Sequence, residues 1–112
     1  TCRAAIPHMR DGGSIVNIGA AASARASTGM GAYTASKSAV ARLTEALADE
    51  LRPRAIRVNA VLPTIIDTPA NRQDMPDADY SAWVTTRELA NIIRFLLSPE
   101  STGISGASIP TR

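Results

Sequence analysis

The succession of two short apolar runs around one long helical pattern restricts the fold of this chain more than any other feature. The first run, residues 14–19, is rich in β-branched side chains, and the second, residues 55–62, ends at Pro63. Between them, apolar residues recur every three or four positions from about residue 32 to residue 52, which predicts an amphipathic helix that Pro53 terminates. A strand, a helix and a strand in this order favour a parallel sheet with helices on its faces.

The same pattern predicts which surfaces the protein buries. Each apolar run is expected to be a strand with both faces buried, as is usual in parallel sheets. In the loop of small residues that follows Gly19, Ser27 and Thr28 are available to cap the long helix. The predicted buried stripe of that helix consists of Ala39, Val40, Leu43, Ala46, Leu47 and Leu51.

The segments outside this unit continue the α/β order to βαβαβ. Residues 1–10 are predicted to be the last turns of a helix, which a turn at residues 11–13 closes. Residues 63–84 are expected to form a loop with little regular structure, and loops of that length are usually lids or binding loops. A second helix is predicted from Thr86 to just before Pro99, and a last strand begins near Gly106. The apolar face of this second helix consists of Leu89, Ile92, Ile93, Leu96 and Leu97.

Composition excludes several classes of protein. The chain lacks the run of about 20 apolar residues that a membrane-spanning helix needs, and Cys2 is its one cysteine and His8 its one histidine. An internal disulfide and a zinc site are therefore excluded. The basic residues are scattered and only four residues are aromatic, which argues against binding to nucleic acid. We expect no metal, no membrane partner and a cytoplasmic location, and we expect this chain to be part of a longer protein.

Tyr33 and Lys37 are the strongest candidates for chemistry. They stand four positions apart at the start of the long helix, and this spacing puts them on one helix face. A free phenol has a pKa of about 10, and both a nearby ammonium and a helix N-terminus favour the phenolate. Such a tyrosine is suited to general acid–base catalysis, although the same spacing also arises by chance in many helices. Ligands of parallel sheets bind beyond the carboxyl ends of the strands, where the loops after Gly19 and after Pro63 begin.

The segment YTASK, residues 33–37, resembles the Tyr-x-x-x-Lys motif of the short-chain dehydrogenase/reductase family. The segments GGSIVNI, VNAVLP and DTP, the last at residues 67–69, fall where that family has its fifth strand, its sixth strand and its cofactor loop. The resemblance covers essentially the whole chain. It implies a doubly wound, Rossmann-like fold in which residues 1–112 form the C-terminal half of one domain. The resemblance also implies that the N-terminal half with its phosphate-binding loop would precede residue 1, and that a substrate lid lies at about residues 64–84.

The resemblance also implies an oxidoreductase that uses NAD or NADP and acts on a small molecule. Tyr33 would donate or accept the proton during hydride transfer, and Lys37 would stabilise the phenolate and bind the ribose hydroxyls of the cofactor. Pro63 matches the proline of the family's Pro-Gly pair, whose glycine is replaced by threonine. Ile66 and Thr68 match positions that meet the nicotinamide carboxamide and the phosphates. Because the long helix resembles an interface helix of the family, a homo-oligomer (dimer or tetramer) is expected.

One position departs from the family pattern. The family usually has a serine thirteen residues before the tyrosine, which polarises the substrate carbonyl, but Ala20 stands there in this chain. Ser23 is one candidate stand-in, and the alternative is that the nearby hydroxyls only form the loop and cap the helix. Dihydropteridine reductases also have alanine at that position, and their lid is similar to residues 61–83. They would transfer the hydride to a quinonoid dihydropterin, which needs no serine to polarise a ketone.

The sequence is also compatible with two other functions. One is a carbonyl or alcohol oxidoreductase of the same family with a serine-free site. The other is a relative that binds dinucleotide without turnover. For Tyr80 and Trp83 the sequence leaves two roles open, covering the substrate or anchoring the lid.

Overall fold

The computed structural model describes residues 1–24 and 28–112 and shows an α/β arrangement built on parallel strands. In chain order the helices and strands are α1 (Cys2–Ala5), β1 (Ser14–Ile18), α2 (Gly31–Glu50), β2 (Arg57–Leu62), β3 (Ile66–Asp67), α3 (Pro69–Asp74), β4 (Val84–Thr85), α4 (Thr86–Leu97) and β5 (Ser108–Pro110). Strands β1, β2 and β5 form one parallel sheet with β2 in the centre, and β3 pairs with β4 in a second parallel sheet. The predicted βαβαβ order is therefore confirmed.

Strand β2 separates two hydrophobic cores, one on each face of the sheet. Val58 packs with Ala48 and Leu51 from the end of α2, whereas Val61 packs with residues of α4 that include Leu89 and Leu96. Because alternate residues of a strand point to opposite faces, α2 and α4 lie on opposite sides of the sheet. The resulting three-layer arrangement is the doubly wound fold that the sequence predicts.

The prediction that both long strands are buried on both faces is correct only for β2. Residues 57–61 of β2 are buried, but β1 is only partly buried and its last residue, Ile18, is 44% exposed. Within the described residues β1 has a single neighbour, β2, so one of its edges carries no pairing strand. A strand at the edge of a sheet cannot be enclosed as completely as a central one.

The predicted buried stripe of the long helix is only partly correct. Ala39, Leu43 and Ala46 are exposed, whereas Leu51 is buried and Val40 and Leu47 are half-buried. Four helical residues are buried against the sheet: Thr34, Ala41, Thr44 and Ala48. One of them, Thr44, accepts a hydrogen bond from the Nδ2 of Asn17 in β1 at 3.1 Å. The buried positions of α2 are thus alanine and threonine, and Leu43 lies on its outer face.

The ends of α2 differ slightly from the prediction of residues 32–52. The N-cap is Met30, whose side chain makes no capping hydrogen bond. The proposed cap Thr28 is exposed and lies before the N-cap, and Ser27 lies outside the described residues. At the other end, residues 52–54 form a 3-10 turn rather than a continuation of the α-helix.

The segment 63–84 contains more regular structure than the sequence indicates. It includes α3, a 3-10 turn at Tyr80–Ala82 and the β3–β4 pair. Helix α3 forms because Thr68 caps it with a side-chain oxygen and Pro69 occupies its first position, where no N–H is needed. The expectation of an irregular loop here is therefore wrong.

Helix α4 forms nearly as predicted. It begins with a capping box in which Thr85 and Glu88 each accept from the other's backbone N–H. Leu89 and Leu96 are buried, but the last residue of the predicted apolar face, Leu97, is 50% exposed. After α4, the buried guanidinium of Arg57 donates to backbone carbonyls of the turn that follows, which fixes that turn to β2.

Candidate active site

Strands β1, β2 and β5 are parallel and therefore end at one edge of the sheet, which we call the carboxyl rim (residues 18–21, 62–63 and 110–112). Two backbone hydrogen bonds join the segments that leave β1 and β2 at this rim. Gly19 N–H donates to the carbonyl of Val61 at 2.8 Å, and Ala21 N–H donates to that of Pro63 at 3.0 Å. A Cβ atom at Gly19 would lie 2.5 Å from Cδ2 of Leu62, so glycine permits the two segments to approach this closely.

Helix α2 begins near the carboxyl rim and carries Tyr33 in its first turn. The Tyr33 side chain is 45% exposed, and Lys37, one turn further along the same continuous helix, is half-buried. Because no side chain caps this helix, its first N–H groups leave positive potential close to Tyr33. The structure thus shows an accessible phenol in the first turn of α2 and a half-buried lysine one turn further along.

Ala20, which occupies the position of the family's serine, is buried and only 8% exposed. Its methyl group offers no hydrogen bond to a substrate. The side chain of the suggested stand-in, Ser23, lies outside the described part of the structure, so its role stays a prediction.

The other three residues predicted to bind the cofactor lie between the end of β2 and the start of α3. Pro63 is buried and its carbonyl joins the two rim segments, while Ile66 and Thr68 are half-buried. Ile66 packs against the core on the α4 face of the sheet. Thr68 Oγ1 accepts a hydrogen bond from the backbone N–H of Asn71 at 3.2 Å. Of the three, only Pro63 lies at the carboxyl rim as defined above, and the predicted roles of all three stay predictions.

The residues after β3 form a cluster that the sequence does not reveal. Arg72 donates to both carboxylate oxygens of Asp67, with distances of 2.6 Å from Nε and 2.8 Å from Nη2. This hydrogen bonding holds the pKa of the Asp67 carboxyl below its usual range. The guanidinium carbon of Arg72 also lies 4.4 Å from the centre of the Tyr80 ring, which is a cation–π distance.

The two aromatic residues of this segment anchor it. Tyr80 lies 4.8 Å from Trp83 between ring centroids, and its hydroxyl donates to the carbonyls of Arg72 and Pro76 at 3.2 and 3.0 Å. Trp83 is 6% exposed. Of the two roles left open by the sequence, the structure supports anchoring. The pattern Asp-x-x-x-x-Arg that supplies the ion pair is the one sequence signal that could have indicated the cluster.

Two cavities differ in their relation to the carboxyl rim. One of about 790 Å³ is lined by residues such as Gly12, Arg57 and Gly106, which precede or begin strands, so it lies at the opposite edge of the sheet from Tyr33. A smaller one of about 320 Å³ is lined by Val84 and Thr111 and lies beside the carboxyl end of β5.

The described residues contain neither a candidate metal centre nor a candidate membrane-spanning helix. No three His, Cys, Asp or Glu side chains in residues 1–24 and 28–112 are grouped in a way that could hold a metal ion. In the same residues, no helix combines the length and apolar character needed to cross a membrane.

A parallel sheet between helices, with a site beyond the carboxyl ends of its strands, defines a Rossmann-like α/β protein. A family model described as enoyl-(acyl carrier protein) reductase matches residues 1–111. A short-chain dehydrogenase/reductase of Pyricularia oryzae, ABA4, is 41% identical over 117 aligned residues, covering 94% of this chain and 44% of the relative. The chain belongs to the short-chain dehydrogenase/reductase family, as the YTASK motif predicts.

Solved structures agree with this assignment. Carveol dehydrogenase from Mycobacterium avium, in complex with NAD, is 33% identical and superposes with a TM-score of 0.83, covering 99% of this chain and 50% of that one. A blue fluorescent protein from a metagenomic library, in complex with NADPH, is also 33% identical with a TM-score of 0.83, over 98% of this chain and 48% of that one. The chain thus spans about half the length of the relatives it matches. The comparisons support the family and give no support to the dihydropteridine reductases specifically.

Proposed function

We propose that the protein carrying this chain is an oxidoreductase that uses NAD or NADP, with a carbonyl compound or its alcohol as the small-molecule substrate. The observation that carries the proposal is the exposed phenol of Tyr33, one helical turn before Lys37, at the carboxyl rim. A nicotinamide nucleotide would use this phenol, the ammonium of Lys37 and the hydroxyl of Thr68, which the backbone N–H of Asn71 holds in place. Family membership and the cofactors of the two solved relatives support it.

In this proposal each residue has a limited task. The nicotinamide ring, when bound, gives or takes the hydride. The hydroxyl of Tyr33 gives a proton to the substrate oxygen during reduction and takes it back in the reverse direction. The ammonium of Lys37 stabilises the phenolate and donates to the ribose hydroxyls. Ile66 and Thr68 hold the carboxamide and phosphate groups, and Pro63 fixes the start of their segment.

The substrate class depends on what replaces the serine at position 20. The name carveol dehydrogenase, carried by one solved relative, favours an alcohol or a ketone. Ala20 favours a second candidate, the quinonoid dihydropterin, because a buried methyl group cannot polarise a carbonyl and this electron-poor ring needs no such help. Comparing oxidation of reduced cofactor with quinonoid dihydropterin and with a panel of ketones distinguishes the two. A protein that binds the cofactor but turns over neither substrate would be the non-catalytic relative.

Replacing the phenol tests the proposal directly. We expect Tyr33→Phe to lower turnover by roughly 10²–10⁴-fold, because it removes only the proton donor, while NAD(P)H binding measured by cofactor fluorescence stays within about twofold. Ser98→Ala, which removes a hydroxyl at the end of α4 on the opposite edge of the sheet, is the control and should keep its turnover. Unchanged turnover in Tyr33→Phe would refute the assigned role.

Three features of the whole protein belong to the same proposal. The chain would form the C-terminal half of one domain, with residues 64–84 over the substrate. It would assemble as a homo-oligomer through the outer face of α2, where Ala39, Leu43 and Ala46 are exposed. The protein would work in the cytoplasm, which imaging of a fluorescently tagged full-length protein tests.

A further inference from the structure

Asn71 contacts both residues that are proposed to hold the nicotinamide half of the cofactor beyond β3. Its side-chain Nδ2 donates to the carbonyl oxygen of Ile66 at 2.8 Å. Its backbone N–H donates to Oγ1 of Thr68 at 3.2 Å. Asn71, in the first turn of α3, is therefore bonded to both residues, through its side chain to Ile66 and through its backbone to Thr68.

These two bonds fix different atoms. The bond to Ile66 sets the peptide plane after that residue, at a strand that pairs with β4 through only two residues, Ile66 with Val84 and Asp67 with Thr85. The bond to Thr68 occupies a lone pair of its hydroxyl, whose own hydrogen can still be donated. The hydroxyl is therefore held in place without losing its capacity to donate to a ligand.

The neighbouring ion pair acts on the same segment but is the weaker restraint. Arg72 and Asp67 pair with their side chains 50% and 18% exposed, so water and salt screen the interaction. Asn71 is half-buried, and its side-chain amide donates to the backbone carbonyl of Ile66. A backbone acceptor in a partly buried position depends more on its partner than an exposed ion pair does.

We propose that the side chain of Asn71 is a positioning group that sets the Ile66 peptide for binding the nicotinamide half of the cofactor. The Thr68 hydroxyl beside it is held by the backbone N–H of residue 71, which every substitution tested below retains. This inference rests on the proposed function, in which Ile66 and Thr68 contact that half. The Asn71 side chain is assigned no contact with cofactor or substrate. Its effect on binding passes through the Ile66 peptide that it holds.

The test compares ligands that do and do not contain the nicotinamide half. In the full-length protein we expect Asn71→Ala to raise the Kd for NAD(P)H about five- to tenfold, as expected for the loss of one positioned hydrogen bond. The Kd for AMP, which lacks the nicotinamide half, should stay unchanged. Gln73→Ala, which removes an exposed amide from the same short helix, is the matched control and should bind both ligands like the unaltered protein.

Three outcomes would overturn the inference. The first is an unchanged Kd for NAD(P)H in Asn71→Ala. The second is an equal loss of affinity for NAD(P)H and AMP with a lowered melting temperature, which indicates a general structural role. The third is normal binding by Asn71→Leu, which keeps the side-chain volume without the amide and serves if the alanine variant does not fold. Failure of the proposed function is a different result, namely unchanged turnover in Tyr33→Phe. The binding measurements on the Asn71 variants do not depend on that experiment.

Discussion

Glu88 shows how single side chains at the carboxyl rim control stability. Its carboxylate accepts hydrogen bonds from the backbone N–H and hydroxyl of Thr85 at 2.8 and 3.0 Å and from Arg112 at 2.6 Å. The backbone bond from Thr85 contributes most, followed by the Arg112 side chain, and together these contacts lower the pKa of Glu88 from 4.5 to about 2. The folded protein therefore strongly prefers the ionised carboxylate.

The direction of this shift predicts how stability depends on pH. Because the pKa is lower in the folded state, the contribution of Glu88 is fully present above about pH 4.5 and is lost as the pH falls towards 2. We expect Glu88→Gln to flatten the dependence of unfolding free energy on pH in that window, measured by urea unfolding. Glu100→Gln, which alters an exposed carboxylate after α4, is the control and should keep the pH dependence of the unaltered protein. Identical pH profiles for Glu88→Gln and the unaltered protein would contradict this assignment.

At the scale of elements, two adjacent leucines of α4 have opposite surroundings. Leu96 is fully buried in the core between α4 and the sheet, whereas Leu97 is 50% exposed. We expect Leu96→Ala to lower the free energy of unfolding by about 3 kcal/mol, since it removes buried methyl groups and leaves a cavity. Leu97→Ala should lower it by less than about 1 kcal/mol. Equal losses in urea unfolding would show that the face of α4 is assigned incorrectly.

The two long helices also show how far the sequence could predict the elements. Helix α4 was predictable because its large apolar residues stand at regular helical spacing, and only Leu97 fell on the wrong side. In α2, alanines occur on every face, so the spacing could not distinguish the buried Ala41 and Ala48 from the exposed Ala39. The buried face of α2 is set by its packing against the sheet, which the spacing of residues within the helix does not contain.

The candidate site was predictable to a similar extent. Tyr33 and Lys37 are close in sequence, so one helical turn fixes their relation. The bonds of Asn71 to Ile66 and Thr68 were not predictable, because they depend on a short helix forming where the prolines indicated a loop. Contacts that depend on the path of a turn cannot be read from spacing alone.

At the scale of the whole molecule, the outer face of α2 determines assembly in the proposed oligomer. Leu43 is 51% exposed in the middle of that face. We expect Leu43→Asp to lower the molecular mass in sedimentation velocity, because a desolvated charge opposes helix packing between copies. Leu97→Asp, at a leucine of nearly equal exposure on α4, should leave the mass unchanged. An oligomer that survives Leu43→Asp would place the interface elsewhere.

The segment that lies against the carboxyl rim contains the only tryptophan of the 112 residues. Trp83 is almost completely shielded from water and lies beside Tyr80. An indole in such surroundings emits at a shorter wavelength than one in water, and a tyrosine at this distance passes its excitation to it. Any displacement of residues 80–83 would therefore shift and dim an intrinsic emission, so that this part of the chain carries its own optical reporter and requires no added dye.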